Sequence, residues 1–463
     1  MLRKLSPIYL VLFLIFLFIF PLRLSGAGLT EQVFETVLPN GLKVILLENH
    51  KAPLVTFQVW YRVGSRNEEW GKTGLSHMLE HMMFKGTKKV GPEEFSLIIQ
   101  ENGGDDNAFT TNDYTAYVED LSSGRVQVSI DLESDRMQNL VLKEEDFKTE
   151  HMVVMEERRL RLDDDPQAYL EEQIEAAAFQ ISPYHWPVIG WMEDIKRFTL
   201  EDLKTYHKIY CKPVNAFIVV VGDFKKNELL SSISEAFGQI PKGHLPEQKK
   251  YRDPPQKGER RMYVKKEAHL PFLEIGYHIP NLTDSPDSYV LEVIACILSG
   301  GTSSRLYKKL VYDKQLALSV DAENALLSHD PDLFTISVEA LPGKDTAEIE
   351  KTVYEEIECL KKERADEHEL KKAKNLLEAS FVYGQDSLSD QATLLAEHEI
   401  ESTWRSVDDY IPSIRKVTPE DIMRVAKTYF LQDNRTVGIL VPLSPKKEQT
   451  MPAGVLPEGR IIR

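Results

Sequence analysis

Two imidazoles and a carboxylate interrupt the otherwise apolar run Gly74-Leu75-Ser76-His77-Met78-Leu79-Glu80-His81-Met82-Met83-Phe84. On a helix His77 and His81 are i and i+4, so both rings leave one face about one turn apart, the spacing needed to hold one ion. Glu80 adjoins His81 and lies three residues from His77, so its carboxylate reaches the same side. With 12 histidines in 463 residues, a His-x-x-Glu-His string arises by chance in roughly a few per cent of such chains, so the context has to decide.

Zinc in a hydrolase takes three protein ligands and leaves one position for water, so the histidine pair lacks a ligand. Downstream, Glu150-His151-Met152-Val153-Val154-Met155-Glu156-Glu157-Arg158 has a helical pattern with Glu150 and Glu157 on one face, two turns apart. One of them can bind the ion while the other supports an imidazole.

These residues need a scaffold that brings two distant helices together. Leu42 to Leu47 and Val55 to Val63 read as strands bounded by Asn40-Gly41 and Gly64-Ser65, Gly74 to Phe84 as a helix, and Thr115 to Glu119 as a further strand. Strands and helices that do not strictly alternate predict an α/β (α+β) fold with mostly antiparallel sheets layered by helices.

The chain also repeats itself. Thr199-Leu200-Glu201-Asp202-Leu203 recurs as Thr418-Pro419-Glu420-Asp421-Ile422, and at the same offset Lys208, Tyr210 and Asn215 recur as Lys427, Tyr429 and Asn434. Both copies read as a Thr-capped helix feeding an apolar strand, Phe217 to Val221 and Val437 to Val441. A stretch rich in Pro, Gly, Lys and Arg, Ile240 to Arg261, has linker character. The expected organisation is two homologous domains, 28–239 and 262–463, joined by a linker over 240–261.

Met1 to Lys4 is basic, Ile8 to Phe20 is apolar but shorter than the roughly 20 residues of a membrane span, and Ser25-Gly26-Ala27 offers a cleavage site. Residues 1–27 are expected to be a cleaved signal peptide, giving a periplasmic or secreted protein with no stable membrane insertion. Loss of Arg3, Lys4 and Arg23 leaves 56 − 3 = 53 basic against 73 acidic residues, a balance of −20. That charge disfavours nucleic acid and anionic membranes as partners. Cys211, Cys296 and Cys359 are odd in number and lack metal-type spacing, so buried free thiols are expected. His185, among aromatic residues, reads as a packing residue, and Asp163-Asp164-Asp165-Pro166 as a solvated helix end.

His77-x-x-Glu80-His81 followed by Glu157 resembles the inverted zinc motif of the pitrilysin and insulin-degrading peptidases, a family that includes the mitochondrial processing peptidases. "NGLKVILLEN", "VGSRNEEWGKTGLSHMLEHMMFKGT", "NGGDDNAFTTNDYTAYVED", "YHWPVIGWMEDI", "NAFIVVVGDF" and "SGGTSSRL" follow in the order of that family, over most of residues 33–441. The resemblance implies a clamshell of two α/β domains closing around peptide. It also implies one zinc ion per chain held by His77, His81 and Glu157, with Glu80 as general base and Glu150 as a supporting carboxylate. Glu156 is the rival for third ligand. Asn107 and Ala108 match the edge-strand segment on which an extended peptide substrate lies. The family's Arg and Tyr, which hold the substrate backbone, are replaced here by Val311 and Leu318. The resemblance therefore further implies a heterodimer in which a homologous partner chain supplies that pair.

Overall fold

The computed structural model describes residues 29–245 and 249–443. The expected signal segment, three residues of the linker stretch and the last twenty residues lie outside that range. No helix among the described residues is long and apolar enough to cross a membrane.

Among the described residues eleven strands form two sheets. The first comprises β1 (Phe34–Val37), β2 (Lys43–Glu48), β3 (Leu54–Tyr61), β4 (Asp105–Thr110), β5 (Thr115–Ser122) and β6 (Ala216–Gly222), in the order β1-β2-β6-β3-β5-β4. The second comprises β7 (Arg260–Glu267), β8 (Phe272–Ile279), β9 (Ala317–Asn324), β10 (Asp332–Ala340) and β11 (Arg435–Leu443), in the order β7-β11-β8-β10-β9. Each sheet has one parallel pair, β2 with β6 and β7 with β11, and is otherwise antiparallel. The repeated segments occupy equivalent places. Thr199 and Thr418 cap the helices Leu200–Tyr210 and Pro419–Tyr429 in reciprocal boxes with Asp202 and Asp421, and these helices lead to β6 and β11. In both copies the Asn side-chain amide donates to the Tyr carbonyl five residues earlier, Asn215 to Tyr210 at 2.9 Å and Asn434 to Tyr429 at 2.8 Å. The repeated residue types are thus those that turn the chain from helix to strand.

β6 is buried at every position because both faces of its sheet are covered. One face carries Val44, Leu46, Phe57, Val59, Ile218 and Val220, in one core with the helices that follow these strands in sequence. The other face carries Ile45, Leu47, Trp60, Phe217 and Val219, and its cover is Ala392, Leu395, Ala396 and Ile400 of the helix Leu388–Glu401, which belongs to the second half. The exchange is reciprocal. Leu170, Ile174 and Ala178 of the helix Pro166–Ala178 pack on Phe272, Leu333 and Leu440 of the second sheet. A Cβ at Gly438 would lie 2.6 Å from the Ile174 side chain, so a larger residue there would have to push that side chain aside. Each side chain of this kind, fully buried, contributes about 1.5–3 kcal/mol.

Polar bridges reinforce the exchange. Glu399 meets Lys43 at 2.7 Å and Arg62 at 2.6 Å, and buried Arg66 meets Asp330 at 2.6 Å. Cys211 and Cys296 are buried free thiols as expected, whereas Cys359 is half-buried because its helix packs on the second core by other positions. His185 is buried against Trp186 and beside Trp70, and Asp165 caps the helix that begins at Pro166.

Candidate metal centre

The histidine helix spans Leu75–Met82 and buries Leu75, Met78, Leu79 and Met82, so the core-facing stripe fixes where His77 and His81 point. Gly74 starts it at φ 93°, where a Cβ would lie 2.3 Å from the carbonyl oxygen of Ile189. The first turn has no cap of its own. Glu68 supplies one from outside, accepting from the backbone N–H of Gly74 at 2.7 Å and of Ser76 at 2.6 Å.

The second helix, Glu144–Arg158, carries Glu150 and Glu157 to this face. His81 Nε2 lies 3.2 Å and His77 Nε2 3.8 Å from the same oxygen of Glu157. His77, His81 and Glu157 are the one group among the described residues whose ligand atoms could hold a metal ion, all within 4.8 Å of one another. Tetrahedral zinc with bonds of about 2.0–2.1 Å separates its ligand atoms by about 3.3 Å, so the set fits that ion with small adjustment. Glu150 accepts from His81 Nδ1 at 2.9 Å, which puts the proton on Nδ1 and leaves Nε2 free for a metal. Lys85 holds the other oxygen of Glu150 at 2.7 Å. Glu156 turns outward to Arg159 at 2.9 Å, away from both histidines.

Burial, then His81, pushes His77 down to about 4. Burial acts in the same direction on His81, but its hydrogen bonds to Glu150 and Glu157 outweigh it and raise the ring to about 9. The bond from His81 also holds Glu157 below the usual carboxylate range. Burial pushes Glu80 up, offset in part by the Thr110 hydroxyl that donates to its carboxylate. A carboxyl raised in this way holds a proton more readily, as a group that takes one up and returns it must.

A cleft of about 530 Å3 opens over His77, Glu80, His81 and Glu157, with Ala108 and Thr110 on one wall and the helix Pro166–Ala178 on another. β4 is the open edge of its sheet. Asn107 and Ala108 lie on opposite faces of that strand, and both border the space beside Glu80, His81 and Glu150. The Asn107 side chain accepts from the Ala108 N–H at 2.9 Å, so this amide points away from β5. Val311 is half-buried against the second core, and Leu318 is exposed.

Sequence reasoning missed four contributors. Arg161, 3.0 Å from the outer oxygen of Glu157, was accessible as its i+4 neighbour on a helix. Lys85 lies past the end of the histidine helix and reaches Glu150 from the turn that follows it. Glu68 and Thr110 reach the site through loop and strand geometry and left no local signal.

The chain matches the family model described as "Insulinase (Peptidase family M16)" over residues 43–190, and the model described as "Peptidase M16 inactive domain" over residues 197–377. The chain is 35% identical over 428 residues to "Zinc protease PqqE" of Helicobacter pylori, covering 90% of this chain and 96% of that protein. It belongs to peptidase family M16. Another relative, an "Uncharacterized zinc protease" of Mycobacterium leprae, is 27% identical over 91% of this chain and 94% of its own length. The crystal structure of a protease from Helicobacter pylori superposes with a TM-score of 0.84 at 33% identity, covering 89% of this chain and 99% of that one. The shared M16 architecture is thus an α/β chain of two sheets flanked by helices.

Proposed function

We propose that this chain is an exported zinc metalloendopeptidase that hydrolyses peptides or unfolded polypeptides bound in extended form. The observation that carries this reading is the convergence of His77, His81 and Glu157 on one point, with Glu80 alongside, in a cleft bordered by the open edge of β4. His77, His81 and Glu157 would hold one zinc ion, which supplies Lewis acidity that lowers the pKa of water and polarises a scissile carbonyl. Glu80 accepts the proton of the attacking water and returns it to the leaving amine, the Thr110 hydroxyl fixing its carboxylate meanwhile. Glu150 holds the His81 ring in place through Nδ1. An extended peptide adds to the edge of β4 at Asn107 and Ala108 by main-chain hydrogen bonds, and a compact folded domain cannot do so.

The active species is a heterodimer in this reading. Neither Val311 nor Leu318 can donate a side-chain hydrogen bond, so this chain lacks the Arg and Tyr that the family uses to grip the substrate carbonyl, and a homologous partner chain supplies them. The basic start, apolar run and small-residue site within residues 1–27 support export to the periplasm or beyond.

Elemental analysis and peptide hydrolysis on three variants test the centre. Glu80→Gln should keep about one zinc per chain and lose hydrolysis, and Glu157→Gln should lose the metal. Zinc loss in Glu156→Gln but not in Glu157→Gln would overturn the ligand set. Hydrolysis of an unstructured peptide by the chain alone, equal to that with a partner lacking the His-x-x-Glu-His motif, would overturn the heterodimer.

A further inference from the structure

Three arginines follow Glu157 within four residues, and each meets a different carboxylate. Arg158 is buried and donates to both oxygens of Glu172. Arg159 reaches back to Glu156 at 2.9 Å, and Arg161 meets the outer oxygen of Glu157, Oε1, at 3.0 Å. The inner oxygen, Oε2, is the one that faces His77 and His81. The two oxygens of Glu157 are thus divided between the histidine pair and a guanidinium.

The backbone aims Arg161. The helix Glu144–Arg158 runs into a π-helical turn, Arg159–Asp163, in which the Asp164 N–H donates to the Arg159 carbonyl at 2.7 Å. Turns of this wide kind are rare and recur at functional sites. This one is pinned from two sides. Arg158 ties its start to Glu172 of the helix Pro166–Ala178, and Lys266 of β7, in the second sheet, donates to the carbonyls of Leu162, at 3.4 Å, and Asp163. Arg161 stands between these two anchors, and among the described residues it is the one Lys or Arg that borders the cleft over the metal ligands. Its side chain is 75% exposed against 15% for Glu157, so the pair contributes little to folding. What it decides is where Oε1 points.

That direction matters to a metal centre. A carboxylate has two oxygens and can give one or both to the same ion. A zinc hydrolase uses three protein ligands and leaves one position for water. An Oε1 free to join Oε2 on the metal competes with water for that position. A charge-assisted bond from a planar guanidinium opposes the rotation, because it fixes the carboxylate in direction as well as in place.

We propose that Arg161 is a positioning residue that keeps Glu157 a one-oxygen ligand, preserving the open zinc position, and that Lys266 fixes the turn from which Arg161 acts. This inference rests on the peptidase reading and adds to it a control on the metal centre. Because Lys266 lies in the stretch that matches the "inactive domain" model, that stretch takes part in the centre without supplying a ligand.

The test uses full-length protein. Cobalt(II) replaces zinc for absorption spectra, and the zinc form is used for chelator competition and for hydrolysis of an unstructured peptide by the active assembly. Arg161→Met removes the donors, and kcat is expected to fall about tenfold while zinc affinity, KM and the thermal midpoint stay close to wild type. The visible cobalt bands should weaken in that variant, since a fourth protein ligand atom moves the ion away from tetrahedral geometry. Arg161→Lys, which keeps a charged donor, should recover most of the intensity and rate. Lys266→Met should shift both in the same direction as Arg161→Met but less far. Arg159→Met, the same charge change two residues away, should leave them unchanged. Cobalt bands of full intensity in Arg161→Met overturn the proposal even if kcat falls, because Arg161 then acts on the substrate and not on Glu157. Loss of zinc in that variant also overturns it, and an unchanged Lys266→Met overturns the part given to Lys266. Wild-type protein that neither binds zinc nor cuts removes the peptidase reading itself. Wild-type protein that does both, matched in spectrum and rate by Arg161→Met, removes this inference alone.

Discussion

Glu150 offers the sharpest test of how the metal centre is built, because it touches no metal position itself. One of its oxygens accepts from His81 Nδ1 at 2.9 Å and the other is held by Lys85 at 2.7 Å. Replacing such a carboxylate behind a metal-binding imidazole costs 10- to 100-fold in affinity, or about 1.4–2.7 kcal/mol. The two obvious variants should divide that range. In Glu150→Gln the amide oxygen still accepts from Nδ1, so the ring keeps its orientation and loses only the charge behind it, and zinc should bind about tenfold more weakly. In Glu150→Ala the ring loses its acceptor and Lys85 is left without its partner next to the site, so the loss should be about 100-fold. Both should bind zinc more tightly than Glu157→Gln, which lacks one of the three ligands. Competition with a chromophoric chelator at fixed pH gives these constants, and near-ultraviolet circular dichroism checks that the variants are folded. Unchanged affinity in Glu150→Ala, or a larger loss in Glu150→Gln than in Glu150→Ala, would refute the positioning argument.

Other consequences concern the scaffold. Leu395 is fully buried between the returning helix and the first sheet, so Leu395→Ala should cost about 2–5 kcal/mol in urea unfolding. The exchange argument fails if hydrogen exchange in β3 and β6 is then unaffected. Gly74→Ala must move the Ile189 carbonyl or leave its left-handed conformation, and should lower both thermal stability and zinc content; a normal zinc content would show that the helix start does not position His77. Burial pushes His398 down to about 4, against about 6.5 unfolded. Its folded pKa is depressed, so the unfolded chain takes the proton first, and the stability present above about pH 6.5 falls as pH drops towards 4, by up to about 3 kcal/mol. Urea midpoints for the wild type and His398→Asn across that window should differ in slope, and parallel curves would rule His398 out as the source.

Periodicity carried much of the local description. His77 and His81 share a face because the apolar residues around them can form only one helical stripe, and Glu150 and Glu157 meet the same site because seven residues make two turns. The repeat around Thr199 and Thr418 was legible because a capping box and the Asn-to-Tyr bond are short-range contacts that demand particular residue types at fixed spacing. These relations lie within one helix, one turn or one strand, where chain geometry converts spacing directly into position.

Tertiary structure decided what lies between elements. Nothing local in Leu388–Glu401 announces that it covers the first sheet, or in Pro166–Ala178 that it covers the second, since an amphipathic stripe specifies an apolar partner without saying which one. The family resemblance named Glu157 over Glu156, but the physical reason is tertiary: the two are adjacent on one helix, and the approach of the histidine helix puts Glu157 inward and leaves Glu156 to Arg159. Glu274 is the extreme case. In sequence it is one acidic residue in a largely apolar strand, and only strand register and an exchanged helix place it opposite Gly438 on the covered face of the second sheet. Sequence spacing encodes what a single element does to its own side chains, whereas charge and burial depend on elements distant along the chain and are settled when those elements pack.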